Sequence, residues 1–168
     1  MHTHVLGMIL VVAVGTGLVA ESDHSSSHSG YRLYRNARFG FSVLYPVDFR
    51  PLPAPDNADG LSFVSPDGMA KLTVSGINQL GETSTDLFTR SVQLVTGRAT
   101  YKHLGTDWFV ISWQNDQSGQ IGYRKSFFGK FSINTLVFTY PVSQRSKYEV
   151  TLLDMIRSFH PGDLNQSW

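Results

Sequence analysis

The residues that could do chemistry are few and far apart. His103 stands four positions before Asp107, and Ser112 follows in the next strand-like run, so a Ser-His-Asp set can be drawn on paper. Asp107 falls in a Gly-Thr-Asp turn, where Asp is favoured for backbone reasons. We therefore read these three as a turn Asp, an exposed strand His and a strand Ser. Asp56-Asn57-Ala58-Asp59-Gly60 looks like a fragment of a calcium loop, but it lacks the third alternate ligand and the downstream Glu. His24 and His28 would share a helix face, yet they lie in a Ser-rich run with no third ligand, so they read as solvated histidines. Asp48, Asp56, Asp59 and Asp67 all sit in or near Pro/Gly turns and offer no pair for acid-base work on a glycoside. G-x-S-x-G, H-E-x-x-H, P-loop and G-x-G-x-x-G motifs are missing. The expectation is a protein that is not an enzyme and that carries no metal and no cofactor.

Aromatic side chains offer a different chemistry. Trp108, Trp113, Tyr123, Phe127, Phe128, Phe138 and Tyr140 cluster in the second half, with Arg124 and Lys125 among them. Aromatics rimmed by cations can line a ligand groove or a partner surface. The same residues can also form the core of a sandwich. Trp108, Trp113, Tyr123, Arg124 and Tyr140 are the binding candidates taken forward.

Composition narrows the class of partner. Lys and Arg number 14 against 13 Asp and Glu, a net charge of +1, so a dedicated nucleic-acid binder is not expected. Cysteine is absent, which excludes a thiol nucleophile, a disulfide framework and a lipid-modified cysteine. With 11 Phe, 7 Tyr and 3 Trp the chain can bury a core without disulfides.

The elements that must position these residues follow from turn chemistry and periodicity. Every Asp, Glu, Lys and Arg lies after position 20, and the sixteen residues Val5–Ala20 carry no charge. Such a run reads as a secretory signal cleaved after Ala20; the competing reading is an uncleaved anchor, for which it falls short of the roughly 20 residues a span needs. Residues 21–30, ESDHSSSHSG, form a flexible spacer. Strands are expected at Tyr31–Tyr34, Phe39–Tyr45, Leu61–Ser65 and Met69–Ser75, the last two joined by Pro66-Asp67-Gly68. Residues 50–60 hold three prolines and read as a loop. Thr83–Arg98 has a capping-box-like start at Thr83 and Asp86 and an apolar face of Leu87, Ser91, Leu94 and Val95. A meander follows: Ala99–Leu104, Trp108–Gln114, Gln120–Phe128 and Phe131–Tyr140. In Trp108–Trp113, Phe109, Ile111 and Trp113 point one way and Trp108 and Val110 the other, so both sheet faces need a cover. A second helix is expected at Lys147–Phe159, capped by Ser146 and Glu149 and stopped by His160-Pro161-Gly162, with a polar tail at 162–168.

Three segments carry a family likeness. Phe39–Phe49, FGFSVLYPVDF, is a Gly-Phe-Ser strand ending in Tyr-Pro and followed by an aromatic. The hairpin LSFVSPDGMAKLTVSG spans 61–76, and the closing helix holds Ile156, Ser158 and Phe159. In these segments, and in element order over about 130 of 168 residues, the chain resembles PsbP-like domains. The resemblance implies an α+β fold: an antiparallel sheet with helices on its faces, an α/β/α sandwich, over residues 31–161. It implies no residue role, since PsbP is a non-enzymatic extrinsic subunit of photosystem II, and a photosynthetic role is not implied. Together these readings favour an exported, non-catalytic binding or accessory module of the cell envelope. It would be periplasmic or secreted and would act on an unknown protein partner, with membrane contact only if residues 5–20 stay as an anchor. The alternatives are a small secreted hydrolase or metal-dependent enzyme, and an immunity-like protein that binds a toxin.

Overall fold

A computed structural model describes residues 30–167; the signal and spacer readings fall almost wholly outside them. Nine strands and two helices run in the order β1 (Tyr31–Arg35), β2 (Ser42–Pro46), β3 (Arg50–Pro51), β4 (Gly60–Val64), β5 (Lys71–Asn78), α1 (Ser84–Gln93), β6 (Arg98–Leu104), β7 (Trp108–Asn115), β8 (Gln120–Phe128), β9 (Ser132–Pro141) and α2 (Arg145–Ser158). Seven strands form one antiparallel sheet in the order β3-β4-β5-β9-β8-β7-β6, and β1 and β2 form a separate hairpin.

Period-two alternation splits the apolar residues of the large sheet between two cores. On one face, Leu72, Val74, Leu136, Phe138 and Tyr140 pack with Phe39, Phe41 and Val43 from the hairpin region and with Tyr148, Met155 and Phe159 from the α2 segment. On the other, Phe109, Ile111, Trp113, Phe128 and Ile133 pack with Leu87 of α1. The architecture is therefore α+β, with helices on both faces and the β1–β2 hairpin sharing one face with α2. Tyr31 fastens that hairpin to the helix, its hydroxyl donating to Asp154 Oδ2 at 2.9 Å.

Several boundaries differ from the expected ones, each for a local reason. The strand expected from Phe39 starts at Ser42 instead. Asn36 Oδ1 accepts from Phe39 N at 2.6 Å, Asn36 O accepts from Gly40 N, and Gly40 takes φ +72°, so 36–41 closes as a turn that drives both phenylalanines inward. The Pro-rich loop contains a short strand, since Arg50 and Pro51 pair with Val64 and Phe63 of β4. Helix α1 stops at Gln93, five residues short of the expected end, because β6 begins at Arg98 and Gly97 turns the chain at φ +126°. Leu94 consequently leaves the apolar face and is 63% exposed. The Ser146–Glu149 capping box does not form: a 3-10 turn at Val142–Gln144 runs straight into α2, which starts at Arg145 with no side-chain cap. The expected cap at Thr83 does form, with its hydroxyl oxygen accepting from Asp86 N at 3.1 Å. The polar tail packs back on the body. Leu164 O accepts from Phe131 N and Ser132 N, and Gly162 N donates to buried Asn134 Oδ1 at 2.9 Å.

Candidate functional site: an aromatic groove beside α2

The groove is built by register. Strand β7 sets Trp108 opposite Phe127, Val110 opposite Lys125 and Ser112 opposite Tyr123 on β8. Strand β6 sets Tyr101 opposite Ser112 and His103 opposite Val110. All these side chains leave the sheet on the face that α2 covers, and Ile156 is the helix residue at their edge. Beyond it lies an open cleft of about 360 Å³ lined by Tyr101, Trp108, Val110, Tyr123, Lys125, Phe127 and Ile156.

Each wall has a fixed position. Trp108 lies across the β6–β7 turn: its backbone O accepts from Gly105 N at 2.8 Å, and a Cβ on Gly105 would stand 2.7 Å from the indole Nε1. The His103 ring lies tilted against the indole, 5.0 Å between centroids. Phe127 forms the floor, resting 5.5 Å from Phe159 of the core, and Lys125 Nζ stands 4.7 Å over the Phe127 ring. Burial pushes the Tyr123 hydroxyl up to about 12, helped by Tyr101, and lowers the Lys125 ammonium. At neutral pH the groove offers a neutral phenol, an indole face and one partly desolvated cation. That chemistry suits an apolar or aromatic side chain.

The five sequence candidates are divided between three places. Trp108 and Tyr123 meet in the groove. Trp113 faces the opposite side, in the α1 core, where its ring lies flat across Gly122. Arg124 also faces the α1 side, as strand alternation requires of the residue after Tyr123. Tyr140 is 2% exposed among Phe138 and Tyr148, at centroid distances of 5.2 and 5.7 Å. Tyr101, Val110 and Ile156 complete the groove without having been singled out. A register shift between Ala99 and Tyr101 hides the phase of Tyr101 from simple counting. Among the described residues no hydrogen bond joins His103, Asp107 and Ser112, and no group of three His, Asp or Glu side chains is placed to hold a metal. The Asp56–Gly60 segment is instead closed on itself, Asn57 Nδ2 donating to Asp59 Oδ2 at 2.7 Å and Arg38 Nη1 to Asn57 O.

The sheet order and the two-sided cover define an α/β/α sandwich of the PsbP-like fold. Solved structures agree. Cyanobacterial PsbP (CyanoP) from Synechocystis sp. PCC 6803 superposes with a TM-score of 0.63 at 12% identity, covering 84% of this chain and 98% of that one. LpqN of Mycobacterium tuberculosis, described as involved in cell envelope biogenesis, superposes with a TM-score of 0.52 at 9% identity, covering 79% of this chain and 90% of that one. No family model and no curated protein matches the chain. At these identities the likeness is one of fold. No helix among the described residues is long and apolar enough to cross a membrane.

Proposed function

We propose that this protein is an exported, non-catalytic binding module of the cell envelope that docks a partner protein through the Trp108–Tyr123 groove. The observation that carries this reading is the groove itself: Trp108 and Tyr123 wall it, Phe127 is its floor, and Tyr101 stands at its rim 55% exposed. Half-buried aromatics held rigid by a turn and a sheet present contact area at small entropic cost, as the anchors of protein interfaces do. Lys125 at the edge favours a partner whose apolar anchor is flanked by a carboxylate. Export is supported by the uncharged run Val5–Ala20, and the envelope setting by the described role of the mycobacterial structural neighbour.

A photo-crosslinking amino acid in place of Tyr101, introduced in the native cells, tests this. A discrete adduct is expected in the envelope fraction, absent from the same crosslinker at exposed Thr85 on α1 and lost when Trp108→Ala is added. An adduct that survives Trp108→Ala, or none at all, overturns the groove as the docking site.

A further inference from the structure

The opposite face of the sheet holds a second cleft, of about 320 Å³, between α1 and strands β5, β9 and β8. Register again fills it. Ser75, Thr135 and Ser126 line up across three neighbouring strands, and Thr73, Val137 and Arg124 line up beside them. Hydroxyls thus line the cleft together with two guanidiniums, Arg124 from the sheet and Arg90 from α1, and no Asp or Glu lines it.

Arg124 is the unusual group. Its Nη1 donates to Ser91 Oγ at 3.1 Å, a neutral acceptor, while its Nε is buried and meets no acceptor at all. No carboxylate pairs with it among the described residues. Burial lowers its affinity for its proton, and the charge that adds to this is another cation, Arg90. Arg90 is itself neutralised, gripping Glu82 at 2.9 and 2.6 Å. A partly buried cation without a counter-ion is costly, and proteins ordinarily pair such a charge or replace it with an apolar residue. A snorkelling arginine would account for a buried stem with its head in water, but here an atom of the head is buried. The neighbouring donors suit an anion. Ser126 Oγ and Thr135 Oγ1 share one hydrogen bond at 2.9 Å, which leaves the pair one hydroxyl hydrogen to give. Leu94 and Ile77, 63% and 47% exposed, make the rim apolar.

We infer that this cleft binds a small organic anion, a carboxylate or phosphate oxyanion lying against Arg124 and the Ser126–Thr135 hydroxyls, with a short apolar body against Leu94 and Ile77. Charge-assisted bonds to a guanidinium would carry the affinity, and the volume sits at the low end for small-molecule sites. The site is independent of the groove beside α2.

The test titrates the full purified chain with hexanoate, hexyl phosphate and, as the neutral control, hexan-1-ol, reading Tm and the Arg124 ¹⁵Nε resonance. One or both anions should move that resonance saturably and raise Tm, and which of them does so distinguishes carboxylate from phosphate. Hexan-1-ol should do neither. Arg124→Leu should lower anion affinity about tenfold or more, the worth of a charge-assisted bond, while the unliganded Tm stays level or rises. If that variant fails to fold, Ser126→Ala/Thr135→Val keeps the guanidinium and should still weaken binding. Silence at Arg124 with both anions, an equal response to hexan-1-ol, or undiminished binding in a folded variant overturns the inference.

Discussion

Trp108 and Trp113 stand five positions apart in one strand and serve opposite faces, and in each case a glycine decides the placement. Trp113 can lie flat over β8 only because position 122 has no side chain: a Cβ there would fall 2.0 Å from indole Cζ2. Overpacking of this kind forces the ring out of its well and strains the strand beneath. Gly122→Ala should therefore destabilise the protein by about 1–3 kcal/mol in urea unfolding, although the position is buried and alanine is a modest change. Gly105→Ala should disturb only the β6–β7 turn and the Trp108 indole, since the contact there is to a half-exposed ring. Which of the two tryptophans was core and which was surface could not be read from residue type. Alternation separated them correctly into two faces, but the sequence does not say which part of each face a helix covers, and Trp108 lies at an uncovered part beside Ile156.

At the scale of elements, strands in the meander were legible because each is bounded by turn residues with a fixed backbone preference, and β7 and β8 lie where alternation puts them. Helix ends were less legible because a cap motif competes with tertiary geometry. Thr83 and Ser146 both head cap-like sequences, but only Thr83 caps: its hydroxyl accepts from Asp86 N, whereas α2 is already turning through the 3-10 segment before Ser146. Thr83→Ala should cost about 1 kcal/mol, and Ser146→Ala should leave the unfolding midpoint unchanged. Equal losses in the two variants would show that α2 begins where its sequence motif suggests. The groove was half legible for a related reason. Trp108 and Tyr123 were within reach of pattern reading, but Arg124 follows Tyr123 directly, so a single strand sends the two to opposite faces.

For the whole molecule, the question is what holds the separate β1–β2 hairpin against the sandwich. Phe41 and Val43 pack into the core, Ser42 exchanges backbone hydrogen bonds with His160, Leu44 N donates to Ser158 Oγ, and Tyr31 reaches Asp154 across 123 residues of chain. Burial and the Asp154 hydrogen bond together hold the Tyr31 hydroxyl up to about 12, against 10.0 when free. A raised value means that the folded chain keeps the proton longer than the unfolded chain does. The contribution is therefore complete below pH 10 and is lost as pH rises from about 10 through 12. Tyr123 is raised to about 12 as well, chiefly by burial, and adds a second decline over the same window. Wild-type stability should fall steeply across that window, measured as the urea midpoint at successive pH values. Tyr31→Phe, which removes the ionising group, should give a shallower decline than wild type, and Tyr31→Phe/Tyr123→Phe should be shallower still. The single variant should start lower at pH 8, where the Asp154 hydrogen bond is missing, so the two curves converge as pH rises. Parallel curves would mean that the Tyr31 hydroxyl contributes nothing to holding the hairpin, which would then rest on its apolar contacts and on the Ser42–His160 and Leu44–Ser158 hydrogen bonds.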